Sequence, residues 1–444
     1  MSNRGEETGA IRAAATATWS EIRETVHSTD RATRALILAT ATTSLGTGLF
    51  YAVSAIFFST VVGLTAAQIG IGLACAGVAG VLGALAGGYV AAWIGLRTTV
   101  VCALVVLGIL ICSYLLAHDV VTFTLLASAI SAVRFAGITA RAALIASVFT
   151  GPDRVRVRAR IRVVTNVMVG IGALLAGISL AVGTPLAFGV AVVLVGVLTS
   201  LSALPLLSRE IDFSAAEAAA KAPVAGKASE PGERPQSPFT DLRYLAVSFL
   251  VGVNATYFAL LEIGMPLWVT QHTSAPDVLV AVLLATNTAV IVLTQVVASK
   301  GCHEVRTAGR AALRGALLIA AACLVFAISG SVGVLIASAL LLLALLLMSG
   351  GEAFGEAGAW GLTMELAHPR NQARYQGVAE MAYAAGQTVG PLLISVTALE
   401  SGARGWLVLA VMFVASGAGL HLLSRTGGRP QWRPAEPVAP VAVQ

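Results

Sequence analysis

The strongest constraint in this sequence is a series of long apolar stretches separated by short polar segments. A helix needs about 20 mostly apolar residues to cross the hydrocarbon core of a bilayer. Only helices satisfy every backbone polar group within a single segment, so each stretch is expected to be a transmembrane helix. We predict twelve helices, at residues 35–61, 66–92, 99–117, 120–149, 163–182, 185–206, 244–269, 278–298, 312–329, 332–365, 377–398 and 405–423.

The composition favours a membrane protein over a soluble one. Of the 444 residues, 57% are hydrophobic and 11% are charged, whereas about a quarter of the residues in an ordinary soluble domain are charged. The net charge of +6 comes from basic residues in the segments between the apolar stretches. Membrane topology explains this charge, so the expected partner is the lipid bilayer and not nucleic acid.

The apolar stretches fall into two groups of six. Residues 208–241 between the groups are rich in Ala, Pro, Gly and charge and have no apolar face, which is typical of a flexible cytosolic linker. We therefore predict an all-α membrane protein with two pseudo-symmetric six-helix halves. The expected parts are a cytosolic tail (residues 1–32), the N-terminal half (33–207), the linker (208–241), the C-terminal half (242–424) and a second cytosolic tail (425–444).

The distribution of basic residues predicts the orientation. Apart from Arg134 and Arg141, which lie inside the fourth stretch, every Lys and Arg except Arg404 falls on the face that carries both termini. Cytoplasmic segments carry an excess of Lys and Arg, so we expect both termini to be cytoplasmic and the protein to lie in the cell membrane. The run of arginines at 154–162 is interpreted as a loop that anchors this topology without contributing to transport chemistry.

The two groups also echo each other in sequence. The loop after the fourth stretch reads FTGPDRVRVR and precedes a helix with Gly170 and Gly172. The loop after the tenth reads LAHPRNQARYQG and precedes a helix with Gly386, Gly390 and Pro391. A polar turn followed by a glycine-rich helix at matching positions indicates two parallel repeats about an axis along the membrane normal.

These features resemble the major facilitator superfamily over essentially the whole chain. The stretch GYVAAWIGLR resembles the family's loop motif after the second helix at Gly88, Gly95 and Arg97, but Ala92 and Trp93 replace the usual acid and base. The resemblance implies a monomeric secondary transporter in which two halves rock about a central site. Together with this motif, the Gly390-Pro391 pair is expected to take part in the conformational change, as a bend in the helix that allows gating.

Further motifs resemble the drug-efflux branches of this family. Arg134 and Gly137 match the arginine motif of the fourth helix, with a spacing one residue shorter than the commonest form. The fifth helix reads NVMVGIGALLAG, which keeps the glycines of the antiporter motif but lacks its Gly-Pro pair. The stretch from Trp360 to Gly377 resembles loops of bacterial drug-efflux transporters.

Candidate coupling residues follow from the need for an ion gradient. The chain has no phosphate-binding GxxxxGK[ST] motif, so transport is expected to use ions rather than ATP. The acids at membrane depth all lie in the C-terminal half, and among them Glu352 and Glu356 are one helical turn apart. Two neighbouring carboxylates at low dielectric are not expected to be ionised together, so this pair is the predicted proton site. Glu262 is a second candidate, as a gate or cation-binding residue, and Glu380 is expected to pair with a loop arginine.

Arg134 and Arg141 lie two helical turns apart and share a helix face. Arg141, near the inner end, is expected to extend to the membrane interface. Arg134 lies deeper, and it is interpreted either as a structural hydrogen-bonding centre or as a charge that senses protonation or contacts substrate. Family resemblance implies a role in proton coupling, so we predict that Arg134 faces Glu262, Glu352 and Glu356 across a central cavity.

The predicted substrate pocket is amphipathic and carries few fixed charges. It is assembled from polar and aromatic residues at membrane depth, namely Phe50, Tyr51, Asn254, Tyr257, Asn287, Tyr383 and Gln387. Such a pocket suits a bulky, moderately apolar or cationic compound better than a sugar.

The leading functional hypothesis is proton-coupled export of a drug or secondary metabolite, so the expected partners are a small-molecule substrate and protons. One alternative is an importer or facilitator of a sugar or small metabolite on the same fold, and another is a membrane sensor or scaffold that transports nothing. An enzyme is not expected, because the sequence offers no nucleophile–base pair and no metal-binding cluster, and no cofactor is predicted.

Overall fold

The computed structural model describes residues 31–149, 152–208, 237–368 and 371–426. Within these ranges the chain is built from helices that match the predicted stretches in order. They are α1 (Arg31–Ile56), α2 (Ala66–Ile94), α3 (Leu96–Cys112), α4 (Val120–Val148), α5 (Pro152–Val182), α6 (Pro185–Leu201), α7 (Leu242–His272), α8 (Leu279–Ala298), α9 (Val305–Ser329), α10 (Val334–Glu365), α11 (Gln372–Ile394) and α12 (Ala403–Arg425).

Ten of the helices in the described ranges are long and apolar enough to cross a membrane. The other two are α8, with a shorter apolar stretch at Val282–Ala298, and α1, which carries a row of hydroxyl residues along its inner face. The chain is thus a multi-pass membrane protein with the predicted all-α architecture.

Both halves use the same three helix pairings. In the N-terminal half α1 packs on α5, α2 on α4 and α3 on α6, and in the C-terminal half α7 packs on α11, α8 on α10 and α9 on α12. Between the halves, α2 packs on α11 and α5 packs on α8. This correspondence is the structural counterpart of the sequence echo and supports two parallel repeats.

Small residues allow the helices to approach closely. Gly48 of α1 lies against the backbone of Val169, and Gly83 of α2 lies against the backbone of Ala132, so neither position has room for a side chain. In lipid, where no hydrophobic force drives helices together, such close backbone contact is a main source of packing energy. The glycine spacing in the sequence therefore marks helix interfaces.

Besides α1, three helices begin more than one turn earlier than hydropathy predicted. Helices α5, α9 and α11 start at Pro152, Val305 and Gln372 and include polar first turns. Hydropathy reports which residues prefer lipid, whereas helix formation also extends into charged turns that leave the membrane. The predicted tails at residues 1–32 and 425–444 and the linker at 208–241 lie mostly outside the described residues, and α1 and α12 include their inner edges at Arg31 and Arg425.

Three π-helical turns occur among the described residues, and the first, at Phe57–Val61, follows α1. Helix α7 has one at Leu260–Gly264, which includes Glu262, and α11 is followed by one at Ser395–Leu399, just beyond Pro391. A π-helical turn widens the helix by one residue and is frequent at functional sites.

The two halves contact each other at one end of the bundle, which we call the basic end because Arg97, Lys300 and Arg374 lie there. The contact between α2 and α11 continues from this end to about the middle of both helices, where Gly77 lies against Thr388. A Cβ added to Gly88 of α2 would lie 2.5 Å from the Ala373 carbonyl oxygen of α11. The Arg374 guanidinium lies 5.2 Å from the centre of the Tyr89 ring on α2. Two hydrophobic clusters at this end contain residues of both halves, whereas the described clusters nearer the opposite end each belong to one half. The basic end is therefore closed.

Candidate functional site: buried carboxylates facing arginines across the halves

Helix α5 carries the arginines that organise the site. It begins with Pro152 at its first position and Asp153 in its first turn, two features that favour a helix N-terminus. The prediction that the arginines at 154–162 lie in a loop is therefore wrong, because the run forms the first turns of α5. Within this helix Arg158 and Arg162 are one turn apart and share a face, which is directed at the C-terminal half.

Arg162 forms a buried ion pair with Glu352 of α10. Its Nη2 atom lies 2.6 Å from Glu352 Oε1, and the side chains are 20% and 3% exposed. The guanidinium also lies 5.0 Å from the centre of the Phe258 ring, where a cation is attracted to the aromatic face. The second carboxylate oxygen of Glu352 accepts a bond of 3.3 Å from the Asn287 amide, which also donates to Ser349 Oγ. The pair joins the two halves and is hydrogen-bonded on its carboxylate side.

A second ion pair lies one turn away, nearer the basic end. Arg158 Nη2 is 2.6 Å from Glu380 Oε1 on α11, and its guanidinium lies 5.2 Å from the Trp360 ring centre. The sequence predicted that Glu380 would pair with an arginine, and this is confirmed, although the arginine belongs to a helix instead of a loop. Two charged contacts therefore connect α5 to two different helices of the other half.

Glu356 is held by neutral donors. The Tyr383 hydroxyl donates to Glu356 Oε1 at 2.8 Å and the Tyr257 hydroxyl donates to the same atom at 3.2 Å. Glu356 is buried, one turn from Glu352 and electrostatically coupled to Arg162. The predicted acid pair thus lies in one buried cluster, in which Arg162 is the guanidinium that contacts a carboxylate among the described residues. The assignment of this pair as the proton site stays a prediction.

The structure corrects the expected partners of Arg134. Its Nη2 atom donates to the Tyr51 hydroxyl at 3.1 Å, and Glu352 is occupied by Arg162 instead. Of the three acids predicted to face Arg134, Glu262 acts on it electrostatically, but the two side chains form no ion pair in the described part of the chain. Sequence reasoning failed here because helix rotation, which decides which face meets the other half, is not encoded in hydropathy.

Arg141 is also placed differently from the expectation. Its Nη1 atom lies 3.4 Å from Thr40 Oγ1 of α1, and it lines a cavity within the N-terminal half together with Arg134, Phe50 and Tyr51. The cavity has a volume of about 210 Å³ and is enclosed by α1, α3, α4, α5 and α6. Arg141 therefore points into the half instead of extending to the membrane interface.

The residues predicted to line one substrate pocket are separated into different environments. Phe50 and Tyr51 line the cavity just described. Tyr257, Tyr383 and Asn287 donate to the two carboxylates. The other two lie apart from both groups: the Asn254 amide donates to Ser416 Oγ of α12 at 2.9 Å, and Gln387 is half-buried on α11. Their assignment to substrate binding stays a prediction.

The loop-motif residues have clear structural places. Gly95 links α2 to α3 with φ of 104°, a conformation that favours glycine. Arg97 donates to the carbonyl oxygens of Leu206 and Ser208 at 2.7 and 3.1 Å, so it ties the start of α3 to the chain beyond α6.

Gly88 and Gly390 lie at close helix contacts. Gly88 faces α11 across the two halves, and a Cβ added to Gly390 would lie 3.0 Å from the Ala259 Cβ of α7. Pro391 lies inside α11 and leads into the following π-helical turn. Their role in conformational change stays a prediction.

The functional residues that sequence reasoning missed are Arg158 and Arg162. Their spacing of four, together with the Pro-Asp pair at 152–153, was a usable signal of a helix with one basic face. The alternation of valine and arginine obscured it, because a period of two is not typical of a helix.

Comparisons with known proteins agree with this architecture. A sequence model of the Major Facilitator Superfamily matches residues 36–391. A search of curated proteins finds no match. The structure is similar to the human organic anion transporter MFSD10 (TETRAN), with a TM-score of 0.65, 15% identity, and coverage of 88% of this chain and 99% of that one.

A second solved structure with the same fold is the proton:xylose symporter XylE bound to 6-bromo-6-deoxy-D-glucose. The TM-score is 0.60 and the identity 14%, with coverage of 87% of this chain and 94% of the other. At such low identities these likenesses establish the fold alone. The family match covers most of the sequence and the helices follow the same arrangement, so this chain belongs to the Major Facilitator Superfamily of transporters.

Proposed function

We propose that the protein is a proton-coupled exporter of drug-like or secondary-metabolite compounds that works by alternating access. The observation that carries the proposal is the buried Arg162–Glu352 ion pair between the halves. An ion pair that crosses the moving interface contributes only when that interface is closed, so its charge state biases which conformation is populated.

Protonation of Glu352 provides the switch. The carboxylate is 3% exposed and faces Arg162 at 2.6 Å. When it accepts a proton, the guanidinium loses its counter-charge inside a poorly solvated interface, and separation of the halves at the basic end then hydrates that charge. Glu356 is one turn away and electrostatically coupled to the same guanidinium, so it offers a second position for the proton.

The direction of coupling follows from which end is closed. If the basic end is cytoplasmic, as the excess of positive charge predicts, the ion pairs stabilise an outward-facing conformation. A proton that enters from outside would release the basic end and promote the inward-facing conformation. Substrate then binds from the cytoplasm, the proton leaves, and the ion pair re-forms, which is the sequence of events in proton–substrate antiport. In this scheme the protein acts as a monomer in the cell membrane.

The fold is compatible with such coupling, since one solved neighbour is named a proton symporter and another an organic anion transporter. In the proposed scheme protonation returns the protein to the cytoplasm-facing conformation, which corresponds to export and not to import. An importer on the same fold remains the second hypothesis, and counterflow of a candidate solute in intact cells separates the two, because an importer accumulates its solute.

The coupling is tested in energised inverted vesicles with a pH-sensitive dye. Compounds from a panel of ethidium, aryl carboxylates and natural-product antibiotics are added to find one that releases protons. The Glu352→Gln, Glu356→Gln double variant is expected to abolish that release, while the exposed Glu304→Gln control leaves it intact. If the double variant still moves substrate against its gradient in response to the pH gradient, the assignment of the coupling site is wrong.

A further inference from the structure

A second site lies in the cavity of the N-terminal half, apart from the carboxylate cluster. Its volume is about 210 Å³ and its wall contains two cations, Arg134 and Arg141. Apolar side chains such as Phe50, Ile130 and Val133 form much of the remaining wall. Among the described residues no Asp or Glu lines it, so the cavity presents positive charge against an apolar surface.

Neither arginine has a carboxylate partner among the described residues. Arg134 is bonded to the Tyr51 hydroxyl and Arg141 contacts Thr40 Oγ1 at 3.4 Å. A guanidinium carries five N–H donors, so most of the donors of each arginine remain able to bind a ligand. At membrane depth a cation without a counter-ion is costly and marks a functional position. An anion bound from outside the protein would supply the missing charge.

The acids that could balance Arg134 are engaged elsewhere. Glu352 and Glu380 pair with arginines of α5, and Glu356 accepts two tyrosine hydroxyls. Glu262 is exposed and coupled to Arg134 only at longer range. Glu262 and Glu380 therefore act on Arg134 and Arg141 only from outside the cavity wall, and none of the described carboxylates forms an ion pair with either arginine.

The geometry favours Arg134 as the entry position. Arg134 and Arg141 are seven residues apart on α4, which corresponds to roughly 10 Å along the axis, and they bond to two different positions of α1, Tyr51 near its end and Thr40 nearer its middle. Tyr51 is 54% exposed and Arg134 is also exposed, whereas Arg141 lies deeper. An anion meets Arg134 first and lays its apolar body along Phe50, Ile130 and Val133.

We propose that Arg134 and Tyr51 form the anion-binding end of a substrate site, and that the transported class is small amphipathic organic anions with a carboxylate and an aromatic or aliphatic body. This inference rests on the proposed transport function and names its substrate class. It replaces the expectation from sequence that an apolar or cationic compound fits best. Planar donors of a guanidinium match the two oxygens of a carboxylate, which gives both affinity and orientation.

The test is equilibrium binding to the purified full-length protein, followed by fluorine NMR. The probes share one ring and differ in charge: 4-(trifluoromethyl)benzoate, 4-(trifluoromethyl)benzamide and 4-(trifluoromethyl)benzylammonium. The benzoate is expected to bind at least about ten-fold more tightly than the other two. Equal affinities, preference for the ammonium, or no benzoate binding up to ~10 mM, where a ligand of millimolar Kd would be readily detected, would each overturn the proposal.

Variants locate the site. Arg134→Gln is expected to weaken benzoate binding by about ten-fold or more, and Arg134→Lys by less, because lysine keeps the charge but not the planar donors. The exposed Arg310→Gln serves as the matched control with unchanged binding. Unchanged benzoate affinity in Arg134→Gln refutes the assignment. If that variant does not fold, the comparison of the three probes on the wild-type protein still decides the substrate class.

The outcome is separable from that of the coupling proposal. The Glu352→Gln, Glu356→Gln variant is expected to keep the preference for the benzoate over the benzamide and the benzylammonium, since neither residue lies in the cavity wall. A protein that binds no anion but still couples protons to another compound would refute only the substrate class. A protein that binds benzoate without proton coupling would refute only the proposed mechanism.

Discussion

Replacement of Arg162 by glutamine is expected to open the basic end. In the closed conformation the change leaves the Glu352 carboxylate 3% exposed with only the 3.3 Å bond from Asn287. Removal of one partner of a buried ion pair costs about 3–5 kcal/mol, because the other charge remains buried without compensation. In an open conformation the same carboxylate is hydrated and the cost disappears.

The expected magnitude is near the lower end of that range. Arg162 is 20% exposed, so part of its charge is already screened by solvent, and we take ~3 kcal/mol as the shift toward the open form. Since 1.4 kcal/mol corresponds to a factor of ten, this shift changes the ratio of closed to open protein by about 100-fold. A change of that size converts a mainly closed population into a mainly open one.

The assay is the distance between spin labels on the two halves at the basic end. Thr98 and Lys300 are exposed there and are replaced by cysteine after removal of the native cysteines. Electron–electron double resonance is expected to give one short distance in the wild-type background and a longer, broader distribution in Arg162→Gln. Arg156→Gln, which breaks only the exposed pair with Asp153, serves as the control with wild-type distances.

An apolar replacement of both partners sharpens this prediction. Arg162→Met combined with Glu352→Leu removes both charges, so neither must be desolvated on closure, and such replacements are often neutral or stabilising by about 1–4 kcal/mol. The double variant is expected to return to the short distance. If Arg162→Gln remains closed, or if the apolar pair is as open as Arg162→Gln, the electrostatic explanation of closure is refuted.

Three further predictions concern other contacts. Gly88→Ala is expected to destabilise the closed form by about 1–3 kcal/mol, because a Cβ there would clash with the backbone of α11. The same label distances measure this opening. Gly70→Ala is the control, because a Cβ at that position meets nothing within 4 Å. Tyr383→Phe removes the 2.8 Å donor to buried Glu356 and is expected to cost about 1–3 kcal/mol in thermal unfolding, so an unchanged Tm would contradict the contact. The pKa of Asp119 at the start of α4 lies below its usual 3.8 because backbone and hydroxyl groups donate to its carboxylate. Its stabilising effect is therefore present above that value and lost as the pH falls through the lower folded-state pKa, and Asp119→Ala is expected to reduce the pH dependence of unfolding in the acid range.

The sequence predicted the fold well because lipid imposes a simple rule. Apolar length marks each spanning helix, and the positions of Gly88, Gly95 and Arg97 identified contacts that the structure contains. Glu352 and Glu356 were recognisable as candidates because buried acids on one helix face are rare and costly. These features depend on local composition, which a single sequence displays directly.

The partners across the halves were not predictable in the same way. Arg134 and Arg162 are both arginines at membrane depth, but only the rotation of α4 and α5 determines that Arg162 reaches Glu352. Charged residues at a helix start reduce hydropathy, so hydropathy alone predicts a loop for the first turns of α5, although Pro152 and Asp153 favour a helix. Pairing across an interface depends on the packing of whole helices, which no local pattern records.

The most direct test of the coupling mechanism is the label distance at the basic end measured as the pH is lowered. We predict that the wild-type protein shifts from the short to the long distance on acidification, as Glu352 loses its charge and releases Arg162. Glu352→Gln, Glu356→Gln is predicted to be open already and to respond little to pH, whereas the Glu304→Gln control behaves like the wild-type protein. If the double variant stays closed at neutral pH and opens on acidification as the wild-type protein does, the carboxylate cluster is not the proton switch.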